Sequence, residues 1–205
     1  MQDIKTEMIY WARRLYAKNM CPSTSGNISV KTKQGILISA SGVCLNDMTP
    51  NDIILTDMSA NPLEKGKKPS SECIMHSEIY FKRDDINAII HVHCPVIGAF
   101  AVAGVEMDKP ILPDFVLKYG KVPVVPYYCP STIELAQAVG EYFDKYDAVL
   151  LKNHGVVVGA SSLKQAFYDV ELLRYYAETW FGAEVLGGAK LISKKGVAQI
   201  KKLIK

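Results

Sequence analysis

The segment that most restricts how this chain can fold is Ala88-Ile89-Ile90-His91-Val92-His93. Its apolar, partly β-branched composition reads as a buried strand. Side chains alternate along a strand, so His91 and His93 share one face. The chain has only four histidines; the others are His76 and His154, the latter inside Asn153-His154-Gly155. His154 falls at a break between two strand-like runs, Ala148–Leu151 and Val156–Val158. A His-x-His pair with a distant third imidazole makes a three-nitrogen set that suits zinc or a similar divalent ion, with a fourth position open. One histidine alone is more often a satisfied core residue; three in this arrangement read as a metal centre.

At 205 residues and 49% hydrophobic content, the chain is expected to form one domain over 1–205 with a substantial core and a mobile tail from about 187. A formal charge of +3 argues for neither nucleic acid nor an anionic membrane as partner. The amino terminus lacks an apolar signal-like stretch, and no apolar run reaches bilayer length. Five cysteines, odd in number and without a C-x-x-C pair, read as reduced thiols. A cytoplasmic protein is expected.

Ile4, Met8, Trp11 and Leu15 form the stripe of an amphipathic helix of about four turns, which Pro22 ends. Ile28–Val30 and Ile36–Ser39 alternate around Lys33-Gln34-Gly35, a β-hairpin pattern, and Ile53–Thr56 is a further strand. Pro69-Ser70-Ser71-Glu72 has the chemistry of a helix start, with the helix running to Lys82. A buried helix follows over Pro95–Ala103. Residues 106–130 hold five of the ten prolines and are expected to be irregular, apart from a short strand at Val122–Val125. Ser131–Glu134 opens a helix ending near Asp144, and a long helix carries Ala166, Phe167, Val170, Leu173, Ala177 and Trp180. A short helix is expected from Ser193. Strands and helices interleave, so the fold class is α/β.

Ser25-Gly26-Asn27, Ser41-Gly42 and Ser70-Ser71-Glu72 are each, taken singly, a turn or a cap. Together they place short hydroxyls and backbone N–H groups where an anion such as phosphate could be cradled. The set Ser25–Ser29, Ser39–Gly42, Lys68–Glu72 with His76, His91-Val92-His93 and Lys152–Gly155 resembles the class II aldolase/adducin family, whose enzymes include fuculose-phosphate aldolase and ribulose-phosphate 4-epimerase. The resemblance covers roughly residues 2–182.

The resemblance implies a three-layer α/β/α sandwich with a mixed, largely antiparallel central sheet. It also implies a cyclic homotetramer with active sites at subunit interfaces and a zinc held by His91, His93 and His154. Position by position, Asn27, Ser41, Gly42, Ser70 and Ser71 would bind the substrate phosphate, and Glu72 would be the acid/base. The implied reaction cleaves a short ketose 1-phosphate, possibly a deoxy-sugar phosphate, to dihydroxyacetone phosphate and an aldehyde through a zinc-bound enediolate. Physical chemistry agrees: an open zinc site polarises a carbonyl, and a carboxylate must move a proton at the adjacent carbon. Glu72 could ligate the empty metal and swing away when substrate arrives, its pKa rising in a dry pocket. His76, on the same helical face as Glu72, reads as structural support.

The family's aldolases use tyrosines for the second proton transfer, and this chain has none after Tyr176. Tyr119 and Asp114 are the candidates for a group donated across an interface. Family epimerases tend to carry aspartate where Glu72 stands, which favours carbon–carbon cleavage here. Epimerase, dehydratase and decarboxylase readings stay open, as does a non-catalytic adducin-like scaffold, against which the intact histidines and Glu72 argue.

Overall fold

In the computed structural model, which describes residues 1–204, helix α1 (Gln2–Ala17) leads into strands β1 (Asn27–Thr32), β2 (Gly35–Ser39) and β3 (Ile53–Thr56). Helix α2 (Cys73–Lys82), strand β4 (Ala88–Val92), helices α3 (Pro95–Ala103) and α4 (Pro113–Lys118), and the two-residue strand β5 (Val124–Val125) come next. Helix α5 (Ile133–Phe143), strands β6 (Ala148–Leu151) and β7 (Gly155–Ala160), helix α6 (Leu163–Val185) and helix α7 (Lys194–Lys201) complete the order.

The strands form one seven-stranded sheet in the order β3-β2-β1-β4-β7-β6-β5. Every neighbouring pair is antiparallel except β5 with β6. Alternation along the strands divides the core in two. Ile28, Leu37, Ile90, Leu150 and Val158 face α1, α3 and α6. Ile36, Ile38, Ile89, Val149 and Val157 face α2 and α5. Burial on both faces explains why β4, β6 and β7 read as nearly continuous apolar runs. The result is a three-layer α/β/α sandwich around a mixed, largely antiparallel sheet.

Three expectations need correction. Residues 106–130 are less irregular than their prolines suggest, because Pro113 stands in the first turn of α4. Its missing N–H and fixed φ favour a helix start there rather than a break. Within the expected strand at Val122–Val125, Val122 makes only an isolated bridge to Met107, leaving Val124–Val125 as β5. The helix expected from the Ser-Ser pair begins one step later: Glu72 is the residue before its first turn, and Ser70 and Ser71 lie outside it. In the tail, α7 is capped by Ser193, and the Ile192 amide donates to the Pro110 carbonyl at 2.8 Å.

Candidate active site

His91 lies in β4, opposite Asn27 of β1 and Val157 of β7. His93 stands one residue beyond the end of β4, and His154 sits in the tight connection between β6 and β7. That connection turns through Asn153 at φ 58°, left-handed geometry that asparagine tolerates better than most residues. Gly155 then runs directly under the imidazoles. A Cβ there would meet the Val92 carbonyl at 2.5 Å, His93 Cδ2 at 3.0 Å and His91 Cε1 at 3.2 Å, so only glycine fits. Gly26 makes a similar approach on the other side, with φ 78° and the His91 carbonyl 2.9 Å from where a Cβ would be.

The three histidines converge. Their ligating nitrogens lie within 4.8 Å of one another. Ring centroids are 4.8 Å apart in all three pairs, with interplanar angles of 68–74°. His91 Nδ1 donates to the Val156 carbonyl at 3.0 Å, which leaves the Nε2 lone pair pointing at the centre. His93 Nε2 is 2.9 Å from that nitrogen. Burial, and then His91 beside it, pushes the His93 pKa down to about 3; burial followed by His91 takes His154 to about 4. Imidazoles that give up their protons this readily are the donors a divalent transition ion requires.

Glu72 closes this cluster. Its Oε2 is 3.2 Å from His91 Nε2 and accepts from Asn27 Nδ2 at 2.9 Å, while Oε1 is 3.5 Å from His154 Nε2 and has no hydrogen-bond donor among the described residues. Burial alone would raise the Glu72 pKa. Attraction to His91 and His154 and the Asn27 hydrogen bond outweigh it, so the carboxyl is held below its ordinary range.

Behind Glu72 lies a polar ladder between β1 and α2. Asn27 meets Glu72, Ser29 Oγ is 2.7 Å from His76 Nδ1 and 2.8 Å from the Tyr80 hydroxyl, and Lys31 Nζ lies over the Tyr80 ring at 5.6 Å. The spacing follows from geometry: two strand residues advance about 6.6 Å and four helix residues about 6 Å. Residues 27, 29 and 31 therefore keep step with 72, 76 and 80. His76 is fully buried, and this burial, with His91 nearby, pushes its pKa down to about 3.

A cavity of about 270 Å³ opens onto His93, His154 and Glu72. Its walls are Thr24–Asn27, Ala40–Gly42, Ser70–Ser71 and Pro130–Ser131. Asn27, Ser41, Gly42, Ser70 and Ser71 are thus brought together beside the histidines. The backbone amides of Ser41 and Ser70 already donate to Lys68 and Ser39, so these two residues offer hydroxyls rather than N–H groups. Ser70 Oγ also accepts from the Glu72 amide at 3.3 Å. Sequence reading missed Thr24, Ala40, Pro130 and Ser131. The left-handed φ of 66° at Ser131, just before the capping Thr132, leaves no residue-type signal. Tyr119 and Asp114 do not line the cavity. The Tyr119 hydroxyl is buried without a partner, and its pKa is raised first by burial and then by Asp169. A hydroxyl enclosed in its own chain is poorly placed to serve a neighbour's site. Asp114 is exposed in the first turn of α4.

A seven-stranded sandwich with three convergent imidazoles, a carboxylate and a hydroxyl-lined cavity defines an aldolase-type architecture. The family model described as the class II aldolase and adducin N-terminal domain matches residues 6–181, and the chain belongs to that family. It is 31% identical over 205 residues to a 5-deoxy-D-ribulose 1-phosphate aldolase of Bacillus thuringiensis serovar kurstaki, covering 98% of this chain and 95% of that one. A 3-oxo-tetronate 4-phosphate decarboxylase of Pectobacterium atrosepticum is 30% identical over 93% of this chain and 88% of its own. The solved structure of an L-fuculose 1-phosphate aldolase superposes with a TM-score of 0.91 at 30% identity, covering 100% of this chain and 97% of that chain.

Proposed function

We propose that the protein is a zinc-dependent aldolase that cleaves a short ketose 1-phosphate to dihydroxyacetone phosphate and an aldehyde. The observation that carries this reading is the convergence of His91, His93 and His154 at one point, with Glu72 against them and the hydroxyl-lined cavity beside them. The donor set fits the ion: three nitrogens, one with its tautomer fixed by Val156, and a carboxylate oxygen lacking any donor. When bound, the ion supplies a positive charge and an open position that polarise a carbonyl and offset the negative charge developing as the carbon–carbon bond breaks.

The chain's own groups do the rest. Asn27, Ser41, Gly42, Ser70 and Ser71 hold the phosphate and so fix the sugar's register against Glu72. Glu72, on the cavity wall, moves the proton at the carbon next to the carbonyl: as the carboxylate it removes that proton in the condensation direction, and in the cleavage direction it takes up a proton from solvent and delivers it to the same carbon. The hydroxyl proton of the departing aldehyde half needs a second base, and the enclosed Tyr119 hydroxyl is not it. The working form in this reading is a cytoplasmic homotetramer whose neighbours complete each site; the exposed Tyr175 and Phe181 on α6 are surfaces for such contacts.

A decarboxylase acting on a phosphorylated keto acid is the second reading. It is favoured by the similarity to the Pectobacterium atrosepticum protein, and loss of carbon dioxide leaves the same kind of charge beside a carbonyl. Purified protein should contain zinc or another transition ion. A panel of ketose 1-phosphates and keto-acid phosphates should release dihydroxyacetone phosphate rather than carbon dioxide. Protein without metal, whose activity chelators leave unchanged, would refute the metal reading; carbon dioxide release would select the second.

A further inference from the structure

His76 takes no part in the reaction as proposed above, yet its surroundings are more specific than packing requires. Its Nδ1 is 2.7 Å from Ser29 Oγ, whose other side is 2.8 Å from the Tyr80 hydroxyl. Among the described residues its Nε2 is buried without a hydrogen-bond partner, and so is Glu72 Oε1, which belongs to a residue one helical turn earlier. Asn27 already holds the other carboxylate oxygen, Oε2.

A neutral imidazole carries one proton, and a serine hydroxyl can donate once while accepting. Two arrangements then keep the Ser29 proton within the chain of groups, rather than leaving it buried without an acceptor. In the first, Tyr80 donates to Ser29, Ser29 donates to Nδ1, and His76 carries its proton on Nε2. In the second, Nδ1–H donates to Ser29, Ser29 donates to Tyr80, and the phenol proton is left over. The phenol is the strongest acid of the three and the imidazole the strongest base, which favours the first. The second also leaves Nε2 as a bare lone pair one helical turn from the charged Glu72; the first gives that side of the ring an N–H.

We propose that the Tyr80–Ser29–His76 chain sets His76 as an Nε2–H donor that receives Glu72 Oε1 when substrate displaces the carboxylate from the imidazoles. His76 is then a positioning residue: Asn27 and His76 bracket the two oxygens and hold Glu72 at the angle from which it exchanges its proton with substrate. This rests on the reading of Glu72 as the proton-transfer group.

The tautomer is measurable in zinc-loaded wild-type protein containing nitrogen-15 histidine. Long-range proton–nitrogen correlations should show His76 protonated at Nε2, its signals assigned by their loss in His76→Gln. Protonation at Nδ1 would overturn the proposal while leaving the role of Glu72 intact. Kinetics supply a second arm. A glutamine amide reaches about as far as Nε2, whereas an asparagine amide stops near Nδ1. His76→Asn should lower kcat about 10²-fold, and His76→Gln should stay within about tenfold of wild type. Both should keep one zinc per chain and a KM for the sugar phosphate within about threefold. Equal kcat losses, or losses confined to KM or zinc content, would mean that His76 only supports the fold. Ser29→Ala is the milder variant if the histidine changes prevent folding. It should lower kcat about tenfold with zinc and thermal transition preserved, and an unchanged kcat would overturn the proposal. Turnover by Glu72→Gln at the wild-type rate would instead remove the reading of Glu72, and the role of His76 with it.

Discussion

Glu72 and Asp169 are both buried carboxylates, 7% and 2% exposed, on opposite faces of the same sheet. Asp169 on α6 accepts from Gln165 Nε2 at 2.8 Å and pairs with Lys118 Nζ at 3.0 Å. That pair ties α4 to α6 through a lysine ammonium. Glu72 has no such cation. It leans on one amide and on the imidazoles of His91 and His154. A carboxylate matched by a permanent opposite charge is costly to disturb and has nothing left to offer. One supported by groups that a metal or substrate would claim can change partners. Burial marks both; the kind of partner separates the structural group from the reactive one.

The largest effect should come from Glu72→Gln, which keeps the shape and removes the ionisable group. Turnover should fall about 10²–10⁴-fold while zinc content holds and stability changes by less than about 1 kcal/mol. Steady-state rates beside a metal assay would show it, and a large stability loss with normal turnover would erase the contrast with Asp169. Ser71→Ala should raise KM for a phosphorylated substrate about 10- to 100-fold, the cost of one charge-assisted hydrogen bond. Ser71 tests this more cleanly than Ser70, whose hydroxyl also accepts from the Glu72 amide. Equal use of the unphosphorylated sugar would show that the cradle has another purpose.

Asp169→Asn should do the reverse of Glu72→Gln. Denaturant unfolding should record a loss of about 1–3 kcal/mol, less than for a fully enclosed pair because the Lys118 side chain is 30% exposed and can turn to water. Turnover should stay within about twofold of wild type; a collapse in rate without a loss of stability would break the comparison. The smallest effect concerns pH. Protons compete with metal for imidazole, and the depressed values of about 3 for His93 and about 4 for His154 move that competition below the ordinary 6.5. Zinc should therefore survive dialysis down to about pH 5. The same shifts mean the unfolded chain binds protons that the native one does not between about pH 4 and 6.5, so metal-free protein should lose stability as pH falls through that window. Zinc loss already at pH 6.5 would show that the imidazoles are not so shielded.

The parts of this molecule that could be read from its sequence are those set by short-range periodicity or by rare residue types. The His-x-His strand, the α6 stripe and the 27–39 hairpin declare themselves within a few residues. Helix α4 did not, because proline carries opposite meanings inside a helix and in its first turn, and only the surrounding packing separates them. Tyr119 reads from the sequence as available for chemistry, yet its hydroxyl is buried, which no local pattern announces. The pairing of Asn27 with Glu72 spans 45 positions and that of Ser29 with His76 spans 47. No local pattern encodes such pairs; they follow from β1 lying beside β4 while α2 covers that face of the sheet.

The matched step of β1 and α2 bears on how such a protein can change over generations. One residue inserted between Glu72 and Tyr80 would turn every later rung by roughly 100° around the helix, and one inserted between Asn27 and Lys31 would flip the later rungs to the opposite face of the sheet. Substitutions there can be tried one at a time, but a change of length severs several contacts at once. Beyond Lys82 the chain is released from this restriction. Indels among descendants of this sequence should therefore cluster after α2 and in loops such as 62–68, leaving 27–31 and 72–80 variable in letters and fixed in count.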